Sequence, residues 1–274
     1  MRRLILLLLL GFLAAEASPY LPSDDETLFQ SSASSKAKKV KKLAQALKAQ
    51  PQNQELTYLV ANQYLALGKA QADLRFYSYA SAALEYWISQ QDCPLELLLL
   101  EADIKQYEHK FEQALEILQR VLKEDELNQV ALAMRAAIFH ELGEYSKSNQ
   151  DCRQLENQLL QTTCLALNQS ILEPELAYQT LSRLEFVRDD ASQWALTIAA
   201  EIAARLAKPL EAELYYRRAI AIDDHDVFLL GSYADFLLDQ GEYRRVLELL
   251  ADKQEIEILA LRYKLAQSLG ASDA

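Results

Sequence analysis

The triplet Gly-Glu-Tyr occurs at Gly143-Glu144-Tyr145 and again at Gly241-Glu242-Tyr243, each time between two apolar-periodic segments. An alanine stands seven residues before each glycine, at Ala136 and Ala234. The same interval separates Ala61 from Gly68, Ala102 from His109, and Ala200 from Ala207. With these turn residues set fifteenth in a unit of about 34 residues, units begin near Gln54, Leu95, Gln129, Leu159, Gln193 and Val227. Ala114 and Ala212 then fall at position twenty, and Ala80 and Ala219 at position twenty-seven.

Fixed-period self-similarity of this length signals stacked supersecondary units. Each unit reads as two antiparallel helices, A and B, joined at position fifteen. Glycine there can adopt the left-handed conformation that ends helix A. Alanine at positions eight and twenty lets two helix axes approach closely. Leu98, Leu132, Leu196 and Leu230, all at position four, fill the space between helices. One pair cannot bury its apolar face alone, whereas a stack can. Composition agrees: 51% of the 274 residues are hydrophobic, with only 6 Gly and 6 Pro to break helices.

This register resembles the tetratricopeptide repeat, or TPR, with its small residues at eight, twenty and twenty-seven and an aromatic near seventeen. Ala136, Gly143 and Tyr145 match in one unit, and Ala234, Gly241 and Tyr243 in another. The resemblance covers about Lys36 to Gly270 and extends to exported TPR proteins of Gram-negative bacteria. It implies an all-α, right-handed superhelical solenoid over residues 36–270: a partial N-terminal unit with helix B at Lys38 to Gln50, about six helix pairs, and a capping helix at Ile256 to Leu269 closed by Gly270.

Departures from the repeat length carry expectations of their own. Gln54 to Leu95 is 41 residues, so helix B near Ala70 to Ser89 is expected to be about two turns longer. Ser148 to Ala177 is 29 residues, so the fourth unit is expected to lack part of a turn or helix. Pro174 and Pro209 at position seventeen suit the first turn of helix B.

The N-terminus reads as a secretory signal over residues 1–17. Arg2-Arg3 precedes the apolar run Leu4 to Leu13, and Ala15-Glu16-Ala17 fits a small-x-small cleavage site. That run is shorter than the roughly 18–20 residues that span a bilayer, so membrane association after cleavage is not expected. Residues 18–35 read as an irregular polar leader, and the expected destination is the bacterial periplasm. A formal charge of −12 disfavours nucleic acid, whose phosphates need Lys and Arg.

No nucleophile elbow, zinc-protease, P-loop or dinucleotide motif is present, and no cofactor or catalytic residue is expected. His109 falls in a turn slot. Asp223-Asp224-His225-Asp226 could hold a cation, but such a string more often caps the next helix, so no metal site is assigned. Adjacent helices of a stack can bring Cys152 and Cys164 together; the expectation is a disulfide between them, the alternative being two buried thiols, with Cys93 free. Lys36 to Lys48 holds six lysines in thirteen residues. It reads either as a contact for anionic lipid or an acidic partner, or as a solvated terminal helix packed through Val40, Leu43 and Leu47.

TPR arrays bind partners along the concave face of their A helices. Carried over by register, the resemblance assigns partner binding to Tyr58, Asn62, Leu99, Asp103, Tyr107, His140, Glu141, Glu201, Arg205, Asp235 and Asp239, with Ala137 and Thr197 beside them. Aromatic and acidic groups in this set suit an extended segment carrying Lys or Arg. The implied function is a non-catalytic protein-interaction scaffold or adaptor. Its alternatives are a structural subunit of an envelope or secretion assembly, or an envelope enzyme built around a helical superhelix.

Overall fold

The computed structural model describes residues 35–184 and 190–272. The signal-like segment and polar leader lie outside the described residues, apart from Ser35. Among the described residues the chain is helical without strands. An N-terminal helix, α1 (Ser35–Ala49), precedes six helix pairs. These are α2 (Gln54–Gln71) with α3 (Leu74–Ile88), α4 (Leu95–Tyr107) with α5 (Phe111–Glu124), and α6 (Gln129–Glu141) with α7 (Tyr145–Cys152). Then follow α8 (Gln158–Gln169) with α9 (Pro174–Leu181), α10 (Asp190–Arg205) with α11 (Pro209–Ile220), and α12 (Val227–Asp239) with α13 (Tyr243–Leu249). A last helix, α14 (Glu257–Ser272), packs on α12 and α13.

Helix starts and stops repeat with the sequence. Asn53, Asn128, Asn157 and Asp226 each accept a backbone N–H three residues on, at 2.7–3.1 Å, and so cap α2, α6, α8 and α12. Five A helices end on one residue of positive φ: Ala72, His109, Gly143, Ala207 and Gly241. Each makes the same pair of closing bonds. At Gly143, the Glu144 N–H donates to Phe139 C=O at 2.8 Å and the Gly143 N–H to His140 C=O at 2.9 Å. Pro174 and Pro209 stand at the first residue of their helices, where a missing N–H costs nothing.

One register reading is corrected. Gly68 is not the turn of the first unit. Helix α2 runs on to Gln71 and the left-handed residue is Ala72, so the extra length lies in helix A and not in helix B. Gly68 serves packing instead: a Cβ there would sit 3.0 Å from the Tyr77 ring. The shortening expected in the fourth unit is shared with the third, since α7 and α9 have 8 residues each. α14 also continues through Gly270 to Ser272.

Alanines at the matched positions do what close helix approach requires: Ala102, Ala136, Ala200, Ala234, Ala114 and Ala212 are all completely buried. The buried apolar residues fall into two clusters, one spanning α1 to α6 and one spanning α8 to α14. Between them the junction is polar, because α7 (YSKSNQDC) offers Ser148 where α5, α9 and α11 have Ala114, Ala177 and Ala212. The Ser148 hydroxyl donates to Ala136 C=O at 2.8 Å. The Asn168 amide donates to Ser148 Oγ and Asn149 Oδ1, both at 2.8 Å. Arg135 forks onto the buried Asp151 at 2.7 Å through both nitrogens. Cys152 and Cys164 are disulfide-bonded, with Cα atoms 5.7 Å apart, tying α7 to α8. Cys93 is a free, buried thiol, and burial pushes its pKa up to about 11.

Candidate functional site

The A helices form one row of the stack, and the two ends of that row meet. α12 touches α2, and Ala72 at the end of α2 packs against the C-terminal apolar cluster. Asp226, at the start of α12, lies close enough to Tyr107 to help raise its phenol pKa, after the larger effect of burial.

Within this row a cleft of about 680 Å³ opens between α6, α8, α10, α12 and α14. His140, Glu201, Arg205, Asp235 and Asp239, all assigned to binding by register, line it together. Phe228, 61% exposed, and Ile171 and Ile258 give it an apolar portion.

The polar groups of the cleft are interlocked. His140 Nδ1 lies 2.7 Å from Asn168 Oδ1. Since the Asn168 amide nitrogen is committed to Ser148 and Asn149, that oxygen accepts and Nδ1–H donates, leaving Nε2 as the acceptor of the neutral ring. The Ser232 hydroxyl donates to Glu201 Oε1 at 2.8 Å, and the Tyr216 O–H lies 2.8 Å from the same Ser232 oxygen. Burial holds the Glu201 carboxyl above its ordinary range, opposed by the Ser232 bond and the Arg205 charge. Arg205 donates to Ser170 Oγ at 2.7 Å. Arg262, from α14, forks onto Asp235 at 2.7 and 2.6 Å.

The remaining register residues lie elsewhere. Tyr58 and Asn62 are exposed on α2, and Leu99 is half-buried against the N-terminal cluster. Asp103 is paired with Lys69 at 2.7 Å, and that ammonium also stands 5.0 Å over the Tyr107 ring. Tyr107 in turn stacks on Tyr77, with ring centroids 4.9 Å apart. Glu141 is exposed but does not line the cleft. Thr197 does not face it at all: it is buried, and its hydroxyl bonds Gln193 C=O at 2.9 Å within α10.

Register reasoning missed the cations that meet these acids. Lys69 gave no same-slot signal, because it falls sixteenth counting from Gln54 whereas Asp103 falls ninth counting from Leu95. Arg262 carried no such signal, because the capping helix lies outside the repeat. Asp226 caps α12, as its string suggested, while Asp223, Asp224 and His225 form an exposed group with His225 Nδ1 2.5 Å from Asp224. No described helix is long and apolar enough to cross a membrane.

No protein-family model matches the chain, and no curated protein matches it by sequence. Among solved structures, a tetratricopeptide repeat protein from Parabacteroides merdae superposes with a TM-score of 0.56 at 17% identity, over 83% of this chain and 91% of that one. BtubC (BKLC) from P. vanneervenii aligns over 87% of this chain and 89% of its own, at 12% identity and a TM-score of 0.33, too low to bear on the fold. The repeated left-handed turns, the buried alanines and the Parabacteroides structure together establish an all-α solenoid with the tetratricopeptide-repeat fold.

Proposed function

We propose that this chain is a non-catalytic, exported scaffold that holds an extended segment of a protein partner in the cleft between α6 and α14. The reading is supported above all by the convergence of His140, Glu201, Arg205, Asp235 and Asp239 on one cleft beside exposed Phe228. Stacked helices hold such side chains in place before binding, so little conformational entropy is lost on association.

The charge balance narrows the segment. Arg262 already satisfies Asp235 and Ser232 holds Glu201, while Asp239 is exposed and has no ion-pair partner among the described residues. A segment with one Lys or Arg for Asp239 and an apolar residue for Phe228 and Ile171 fits this better than a densely basic one. Export is supported by the signal-like N-terminus and by the Cys152–Cys164 bond, which suits an oxidising compartment.

The test is photo-crosslinking in the native cell, with the reactive group placed at Phe228 or Asp239 and, as controls, at exposed Leu127 and Leu210, which do not line the cleft. One protein captured from the cleft positions and absent from the controls is the expected result. Equal capture at all four would remove the proposal.

A further inference from the structure

A recess of about 1080 Å³ that shares no lining residue with that cleft lies between α1 and α3 at the N-terminal end of the stack. We propose that it is a second docking site, for an acidic segment of a partner protein that carries aromatic or long aliphatic side chains. α1 packs on α2 through Val40, Leu43 and Leu47, which buries its apolar stripe. It leaves a gap toward α3 in which a ring cluster is open. Tyr64, Phe76 and Tyr79 stand with centroids 5.5 to 6.3 Å apart, and Tyr79 is half exposed.

Charge selects the occupant. Lys38, Lys41 and Lys48 rim the recess, and none meets a carboxylate among the described residues. Arg75 also lines it but is held by Asp73 at 2.5 Å. Glu85 is the one acidic residue of the lining. A chain of formal charge −12 thus gathers unpaired positive charge at one recess. An incoming segment with Asp or Glu beside Phe, Tyr or Leu would meet lysine ammonium groups at the rim and ring faces on the floor. A bilayer, by contrast, suits a flat or protruding apolar face, and here the rings sit between two helices. The site uses no residue of the inner cleft, so it stands or falls independently of it.

Fluorescence anisotropy on the full chain tests this with two labelled probes: a synthetic peptide alternating Glu with Leu and Phe, and the same peptide with every Glu replaced by Lys. The acidic probe is expected to bind and the basic one not. The triple variant Lys38→Glu/Lys41→Glu/Lys48→Glu and the separate variant Tyr79→Ala should each weaken binding by about tenfold or more, with helical circular dichroism unchanged. Equal binding of both probes, or full retention by the triple variant, would overturn the proposal. So would lysine-dependent binding to phosphatidylglycerol vesicles without peptide binding, which would make the face a membrane contact. A tenfold gain in peptide affinity on deleting residues 18–34 would overturn it too, by making the chain's own leader the occupant.

Discussion

Arg262 reaches from the last helix to Asp235 on α12 and holds it with two bonds, at 2.6 and 2.7 Å. The capping helix therefore does more than cover the end of the stack, because it sets the charge of the cleft. Both side chains are partly exposed, so the pair is worth only about 0.5–1 kcal/mol of stability. Arg262→Gln should lose about that much in urea unfolding. It should also tighten binding of a Lys-containing segment, since Asp235 is released. Weaker binding of such a segment would contradict the assigned charge balance.

At the polar junction, Asp151 is buried and Arg135 keeps contact with water. The two halves of this pair are therefore unequal. Arg135→Met strands a buried carboxylate and should cost about 3 kcal/mol. Asp151→Asn leaves a guanidinium that can turn to solvent and should cost nearer 1 kcal/mol. Denaturant melts of both variants check the order; a larger loss for Asp151→Asn would refute it.

Backbone geometry makes opposite predictions for two turn-like positions. His109 carries φ 56° at its helix end, so His109→Gly should stabilise the chain by about 1 kcal/mol. Gly68 lies inside α2, where alanine would otherwise be the better helix former. Its new Cβ would press to 3.0 Å on Tyr77, a buried ring already stacked on Tyr107. Gly68→Ala should therefore lose about 1–2 kcal/mol. Thermal unfolding of the two variants should shift in opposite directions.

That contrast shows how far the sequence could be read. Ala102, Ala136, Ala200 and Ala234 recur because helix axes must approach closely, and all four are fully buried. Gly68 fits the same spacing, yet a glycine that ends a helix and one that admits a neighbouring ring look alike in sequence. Only the position of Tyr77 separates them. The cleft was half legible for a similar reason. Repeat register places His140, Glu201, Arg205, Asp235 and Asp239 on one face, but it is blind to Arg262 on a helix outside the repeat, and to Asn168 and Ser232, whose roles depend on partners across helices.

Glu201 gives a pH signature. Burial raises its pKa above the ordinary 4.5, so between that value and the raised one the folded state binds more protons than the unfolded. Stability contributed by this group is present below the ordinary pKa and falls as pH rises through the window. Glu201→Gln, which keeps a carbonyl for Ser232, should be more stable than the parent at neutral pH and should lose this part of the slope. Melting temperatures of both proteins from about pH 4 to about pH 8 test it; identical slopes would contradict it.

The Cys152–Cys164 bond closes a short loop, its cysteines 12 residues apart, where α7 is only 8 residues long. Replacing both with serine should cost about 2–3 kcal/mol. In amide hydrogen exchange, protection should fall first in α7 and α8. Uniform loss along the stack would contradict a local clamp.

Hydroxyl-radical footprinting of the chain, alone and with the partner captured from the cleft, tests most directly whether the inner row of helices is the binding face. Phe228, Ile171 and Ile258 should become protected in the complex, while Leu127 and Leu210 keep their reactivity. Protection of Leu127 and Leu210, with Phe228 still reactive, would contradict it.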